Sequence, residues 1–190
     1  MTKLLCGLDE AGRGPLAGPV VAGAVILSEN FPTEILNDSK KLSEKKRLLA
    51  ETIIKEKSLW GIGIVSEKII DEINILQASL RAMKNAFQNM MKMLAEKKIE
   101  NVSLSAIADG KFVPEILCEC RAVVKADATF PCVMAASILA KTCRDKIMLE
   151  YDKQFPAYGY AKHKGYPTLE HRAICKALGP SPIQRLTFRY

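Results

Sequence analysis

Leu4-Leu5-Cys6-Gly7-Leu8-Asp9-Glu10-Ala11-Gly12-Arg13-Gly14-Pro15 is the stretch that orders the rest of the chain. Residues 4–8 are an apolar run that reads as a buried strand, and it ends on two adjacent carboxylates. Carboxylates are almost never fully buried unless paired, so Asp9 and Glu10 require a cation, a hydrogen-bond cage or solvent. The residues that follow supply backbone N–H groups, one guanidinium and little side-chain bulk. A metal ion on the carboxylates, with a phosphodiester against the loop, satisfies both halves at once.

Working outward, residues 19–27 form a second apolar run beyond the Gly-rich turn. Residues 37–42 are a polar loop, after which Ser43 caps a helix bearing Leu48, Leu49, Thr52 and Ile53 on one face. Residues 59–65 predict a short strand weakened by Gly61 and Gly63. Asn74 with Gln77 fits an N-cap and its reciprocal partner. Leu76, Leu80, Met83, Phe87, Met90, Met91 and Leu94 then follow helical spacing, a stripe read as core rather than groove. Residues 101–108 and 121–125 predict a fourth and a fifth strand, ending at Asp109 and Asp127. Residues 131 to about 155 predict a helix whose Ala135, Ala136 and Ala140 permit close approach to a sheet. Residues 156–167 are a basic, aromatic loop, and residues 168–178 a last helix closed by Gly179-Pro180. The early strands succeed one another like hairpins and the later ones alternate with helices, which predicts an α/β domain with a mixed sheet.

With 190 residues, 48% of them hydrophobic, the chain fits one domain (1–190) with a proper core. Its net charge of +7 favours a polyanionic partner. Acidic residues from position 9 argue against a secretory leader, and the longest apolar run is too short to span a bilayer. No membrane partner is expected. The six cysteines lack CxxC spacing, and the Cys118/Cys120 pair has no histidine nearby to complete a zinc site. They read as reduced thiols of a cytoplasmic protein.

Three predicted strand ends carry carboxylates: Asp9 with Glu10, Asp109, and Asp127. Converging there they would repel one another, and divalent metal relieves that. Hard oxygen ligands select Mg²⁺ or Mn²⁺ over zinc. Two such ions about 3.5–4 Å apart serve phosphodiester hydrolysis. Neighbouring strand residues point to opposite faces, so Asp9 and Glu10 share a site only if the strand breaks, as Ala11-Gly12 permits. Each acid taken singly also reads as a turn cap, Asp109 before Gly110 above all. Arg13 between Gly12 and Gly14 is either a surface cation or part of a loop whose backbone approaches a ligand. Asp38-Ser39-Lys40-Lys41 is either a solvated turn or a phosphate holder. Tyr158, Tyr160, His163, Lys164 and Tyr166 suit nucleic acid, where cations meet phosphates and rings stack, and equally suit internal packing. Pro167 separates His163 from His171, so they are no helical metal pair. Neither GxSxG nor GxxxxGK[ST] occurs.

Taken jointly, the motifs resemble ribonuclease HII, the type 2 ribonuclease H family. The matching pieces run in family order over nearly the whole chain. They are residues 8–20 (LDEAGRGPLAGPV), 38–42 (DSKKL), 108–110 (ADG), 125–128 (KADA), 135–141 (AASILAK), Arg144-Asp145, 163–168 (HKGYPT) and 179–183 (GPSPI). The resemblance implies a ribonuclease H-like fold: a mixed five-stranded sheet flanked by helices, with a small helical C-terminal segment. It implies that residues 156–190 contact substrate. It also implies an endoribonuclease that cleaves the RNA strand of RNA–DNA hybrids and incises 5′ of single ribonucleotides in duplex DNA. Two-metal hydrolysis with Mg²⁺ or Mn²⁺ would leave 5′-phosphate and 3′-hydroxyl ends, in ribonucleotide excision repair by a cytoplasmic monomer. On this resemblance Asp9, Glu10, Asp109 and Asp127 are the catalytic metal ligands. Gly12, Arg13 and Gly14 read the ribose 2′-hydroxyl, and Tyr166 packs on the sugar beyond the RNA–DNA junction. Ser39, Lys40, Lys41, Lys141 and Lys164 are candidate substrate contacts.

Ala126, Gln184 and Ala108 depart from the family pattern of glycine, histidine and a larger aliphatic. None is a carboxylate, so activity is expected to survive. Two other readings stand beside this one. Another nuclease or strand-transferase on the same fold would not need a loop and a tyrosine that sense a 2′-hydroxyl. A non-catalytic nucleic-acid-binding module would not need four acids, which weaken binding to a polyanion.

Overall fold

Strand β1 (Thr2–Ala11) is buried from Cys6 to Asp9, and β2 (Val20–Leu27) along almost its whole length. Neither alternates, because helices cover both faces of the sheet, and strands buried on both sides read as continuous apolar runs. This computed structural model describes residues 2–37, 39 and 42–189. With β3 (Ser58–Val65), β4 (Val102–Asp109) and β5 (Glu119–Val123) the sheet order is β3-β2-β1-β4-β5. The β3-β2-β1 half is antiparallel and the β1-β4-β5 half parallel, the mixed sheet that the sequence predicts. The fifth strand ends earlier than expected. Lys125 takes a left-handed conformation (φ 60°), and Asp127 lies in the 3-10 turn Ala126–Ala128 that follows.

Helix α1 (Glu44–Lys57) starts at Ser43, whose side chain accepts from the Lys46 N–H at 3.4 Å. Helix α2 (Glu67–Glu96) covers one face of the sheet, and α3 (Pro131–Gln154) covers the other with α1. Met83, Phe87, Met90 and Leu94 of α2 are buried against Leu8, Ala22 and Val65, so the methionine stripe is core. On the opposite face Ala135, Ala136, Ile138 and Leu139 of α3 pack on Val25, Ala50 and Ile54.

The strand glycines are where the helices touch the sheet. A Cβ on Gly61 would lie 2.2 Å from the Ala86 carbonyl oxygen, and one on Gly63 2.0 Å from that of Ala82. On the α3 side, a Cβ on Gly23 would lie 2.4 Å from the Ala136 carbonyl oxygen. Gly61 and Gly63 thus let α2 seat on β3 rather than merely weakening the strand.

Asn74 is a cap, as predicted, but inside α2 rather than before it. Its φ of 66° kinks the helix, and its Oδ1 accepts from the N–H groups of Leu76 (3.0 Å) and Gln77 (3.1 Å). The preceding helical segment, residues 67–73, has its own cap at Ser66.

The C-terminal segment holds α4 (Tyr160–His163) and α5 (Leu169–Leu178), the latter capped by Thr168. The tail then returns to the Gly-rich loop. Gly18 donates to the Ile183 carbonyl at 2.8 Å, and the Arg185 N–H to the Leu16 carbonyl at 2.8 Å. Asp71 of α2 accepts from the N–H groups of Leu186 and Thr187. All six cysteines are free thiols, and Cys6, Cys132 and Cys175 are buried. Among the described residues no helix is long and apolar enough to cross a membrane.

Candidate active site

Parallel pairing sets the acids side by side. Leu8 is opposite Ala108 in the β1–β4 register, so Asp9 and Asp109, each one residue further on, emerge at the same end of neighbouring strands. The turn after β5 brings Asp127 to the same place. The Ala126 N–H donates to Asp109 Oδ1 at 2.7 Å, and the Glu10 N–H to Asp9 Oδ1 at 2.7 Å, which fixes two of the carboxylates. One oxygen from each of Asp9, Asp109 and Asp127 lies within 4.8 Å of the other two.

Three carboxylates so close are costly without a cation. Burial pushes the Asp9 carboxyl well above the usual range, and the Glu10 charge raises it further. Burial also raises Glu10, although the Arg13 guanidinium pulls it back. Glu10 is outside the aspartate trio. β1 does not break before it, since Glu10 still pairs with Ala22 and Ala11 with Val21. Its Oε1 accepts from Arg13 at 3.3 Å, and its Oε2 is buried with no hydrogen-bond partner among the described residues. The orphaned oxygen and the raised carboxyls are the surroundings that a hard divalent cation would relieve.

These acids line a cleft of about 240 Å³ with Gly12, Arg13, Gly14, Ser39, Ser137, Lys141 and Tyr166. Ser39 Oγ is 2.9 Å from Ser137 Oγ, and Lys141 is paired with Asp145 at 2.7 Å. A Cβ on Gly14 would meet the Tyr166 ring at 3.9 Å, so loop and ring face each other across the cleft. Lys164 is not brought in: its ammonium donates to the Ala161 carbonyl. Lys40 and Lys41 lie outside the described residues.

The basic–aromatic cluster divides in two. Tyr160 is fully buried, stacked on Tyr158 and edge-on to His163 and His171, so this part is packing. Tyr166 is 39% exposed and reaches the cleft. Beneath it, His171 Nδ1 donates to the Tyr166 carbonyl at 3.0 Å. His171 gives no sign of this in sequence, because its partner is a main-chain atom. Arg185 is also silent there: it sits in a polar tail, yet its side chain is buried beneath the Gly-rich loop, as is that of Arg144.

The chain matches the Ribonuclease HII family over residues 6–189. It is 50% identical to a ribonuclease HII of Treponema denticola, over 97% of this chain and 98% of that one. A ribonuclease HII of Dechloromonas aromatica is 49% identical over 97% and 90%. Among solved structures, the ribonuclease H2 of Pyrococcus horikoshii superposes with a TM-score of 0.73 at 25% identity, over 98% of this chain and 94% of that one. Ribonuclease HII of Archaeoglobus fulgidus, solved with PCNA, gives 0.73 at 24% identity, over 98% and 96%. The carboxylate cluster, the loop beside it and these likenesses agree: the chain belongs to the ribonuclease HII family, the type 2 endoribonucleases that act on RNA–DNA hybrids with divalent metal.

Proposed function

We propose that this protein, beyond cleaving RNA–DNA hybrids, incises 5′ of single ribonucleotides in duplex DNA by two-metal hydrolysis, leaving 5′-phosphate and 3′-hydroxyl ends. The observation that carries the reading is the shared cleft: the aspartate trio, the Gly12–Arg13–Gly14 loop and Tyr166 line one space. Asp9, Asp109 and Asp127 would hold two ions, Mg²⁺ or Mn²⁺, with Glu10 at the edge of the site. Bound there, the ions would activate water and stabilise the leaving oxygen.

The residues around them select the substrate. The Gly12–Arg13–Gly14 backbone would meet a ribose 2′-hydroxyl, the group that distinguishes RNA from DNA at one sugar. Gly14 leaves it open on the cleft side, whereas a Cβ on Gly12 would strike Arg144 Nε at 2.2 Å beneath the loop. The exposed face of Tyr166 would pack on the next deoxyribose, where a 2′-hydroxyl fits poorly. Lys141 and Ser39 line the same cleft, which supports a role in phosphate contact. Residues 156–190, within a single catalytic domain, supply the tyrosine side of the cleft. On this reading the protein acts as a cytoplasmic monomer in ribonucleotide excision repair. Another nuclease or a strand-transferase would leave the loop and Tyr166 without a task, and a plain binding module would leave the acids without one.

The test compares three duplexes: one with a single ribonucleotide, one continuous hybrid and one all-DNA. Stacking-type contacts are worth about 1–3 kcal/mol, so at the low end Tyr166→Ala should slow incision at the single ribonucleotide about tenfold. The continuous hybrid should suffer less and the all-DNA duplex should stay intact. A parallel fall on both RNA-containing substrates would reduce Tyr166 to a packing residue.

A further inference from the structure

Two guanidiniums lie beneath the loop of residues 12–19, one from α3 and one from the C-terminal tail. Arg144 is 1% exposed and Arg185 is 0% exposed. Arg144 donates through Nε to the Pro19 carbonyl at 3.0 Å, through Nη2 to that of Ala17 at 3.1 Å, and through Nη1 to that of Lys164 at 2.9 Å. Arg185 donates through Nε to Gly18 at 2.9 Å and through Nη1 to Arg13 at 3.2 Å. Its Nη2 serves Gly12 at 2.7 Å and Pro19 at 3.2 Å. Every acceptor in these seven bonds is a main-chain carbonyl. Burying two like charges side by side is costly, and here the carbonyl dipoles of essentially one loop offset it.

The direction of those carbonyls has a chemical consequence. In a trans peptide the C=O and N–H point opposite ways. Drawing the Gly12 and Arg13 carbonyls inward turns the N–H groups of Arg13 and Gly14 outward, away from the guanidiniums. Gly12, Arg13 and Gly14 line the cleft that holds the aspartates. A lysine cannot reproduce this, because one ammonium on a flexible stem has no planar fork to span four carbonyls. The tail itself is tethered independently, by the Arg185 N–H on the Leu16 carbonyl and by the Ala17–Gln184 bridge. A change confined to the Arg185 side chain leaves those bonds in place.

We propose that Arg185, seconded by Arg144, is a positioning residue for the reaction: its buried fork holds the loop carbonyls inward so that the Arg13 and Gly14 N–H groups face the substrate strand. The proposal rests on the reading of this loop as the sugar-recognition element.

The experiment uses Arg185→Lys, Arg144→Lys and Gly14→Val in the full chain, well below their unfolding midpoints. Single-turnover incision of a duplex with one ribonucleotide is measured beside calorimetric Mn²⁺ binding. Arg185→Lys should lose at least tenfold in rate with Mn²⁺ affinity within twofold of the parent, and its Arg13 and Gly14 amides should exchange hydrogen faster. A merely structural role would lower the unfolding midpoint and leave the rate of the folded enzyme unchanged. Both lysine variants cutting at full rate while Gly14→Val is impaired would overturn the positioning role and leave the loop reading intact. A fully active Gly14→Val would overturn the loop reading and the proposal with it. One arm needs no variant: in the parent protein, with Ca²⁺ in place of Mg²⁺, the same duplex should shift the Arg13 and Gly14 amide resonances. Unshifted resonances in the bound complex would also overturn the proposal.

Discussion

Asp9 is held ionised only at a cost. Its carboxyl sits well above the usual range because it is buried and faces Glu10. A raised carboxyl binds protons in the folded state that the unfolded chain has already released. Metal-free stability therefore falls as pH rises from about 4 through the raised value. Asp9→Asn removes that penalty, so in EDTA at neutral pH it should melt no lower than the parent, while incision drops at least about a hundredfold with the loss of a metal ligand. Thermal melts and an incision assay on the same samples check both halves. A variant that melts lower, or that cuts normally, would contradict the assignment. His171 runs the other way. Burial holds both His171 and His163 below the ordinary imidazole range, and their rings stack at 4.2 Å. His171 Nε2 is buried without a partner among the described residues, and its Nδ1 supports Tyr166. With the folded value depressed, the contribution to stability is complete above about 6.5 and is lost as pH falls from there toward the folded value. An NMR titration should show His171 protonating below that of a model imidazole; protonation at or above it would remove this account of the ring. Added Mn²⁺ should cancel the carboxylate trend and leave the imidazole trend.

The helices reach the sheet through glycines. Gly63→Ala would put a methyl 2.0 Å from the Ala82 carbonyl oxygen and 2.6 Å from the Ala86 nitrogen, both main-chain atoms of α2. Overpacking of this kind costs about 1–3 kcal/mol, so the urea midpoint should fall clearly with the slope unchanged. An unaltered midpoint would mean that α2 rides freely on β3. Reading Gly61 and Gly63 as weak points in a strand was sound from propensity alone, since only the partner helix shows what they admit. The helix caps at Ser43 and Asn74 were legible because a cap is a local interaction between one side chain and nearby N–H groups. What lay before Asn74 was not: residues 67–73 make two turns, too few for a period to be read. Nor could the strand end before Asp127 be read, because Lys125 enters the left-handed region with no glycine to announce it.

At the scale of the molecule, the site is assembled from chain segments that no local pattern connects. Asp9 and Asp109 meet because β1 and β4 are parallel neighbours, and Arg185 supports Arg13 across 172 positions. The order of motifs along the chain therefore carried the site residues, while residue patterns carried the elements. No break between Asp9 and Glu10 is needed for the two to share the site: β1 stays paired through Ala11, ends where Ala11-Gly12 permits, and Glu10 lines the cleft from it. The burial of Arg144 and Arg185 was illegible because in sequence a guanidinium reads the same whether it faces solvent or carbonyls. The central claim is that Asp9, Asp109 and Asp127 form one metal centre that cuts beside a ribonucleotide. Its most direct test is the single-turnover rate of incision of a duplex with one ribonucleotide, measured against Mn²⁺ concentration for the parent, Asp109→Asn and Asp127→Asn. The parent should be inert in EDTA and cut 5′ of the ribonucleotide as Mn²⁺ is added, with both variants at least about a hundredfold slower at saturation. Cutting in EDTA, or a near-parental rate in either variant, would contradict it.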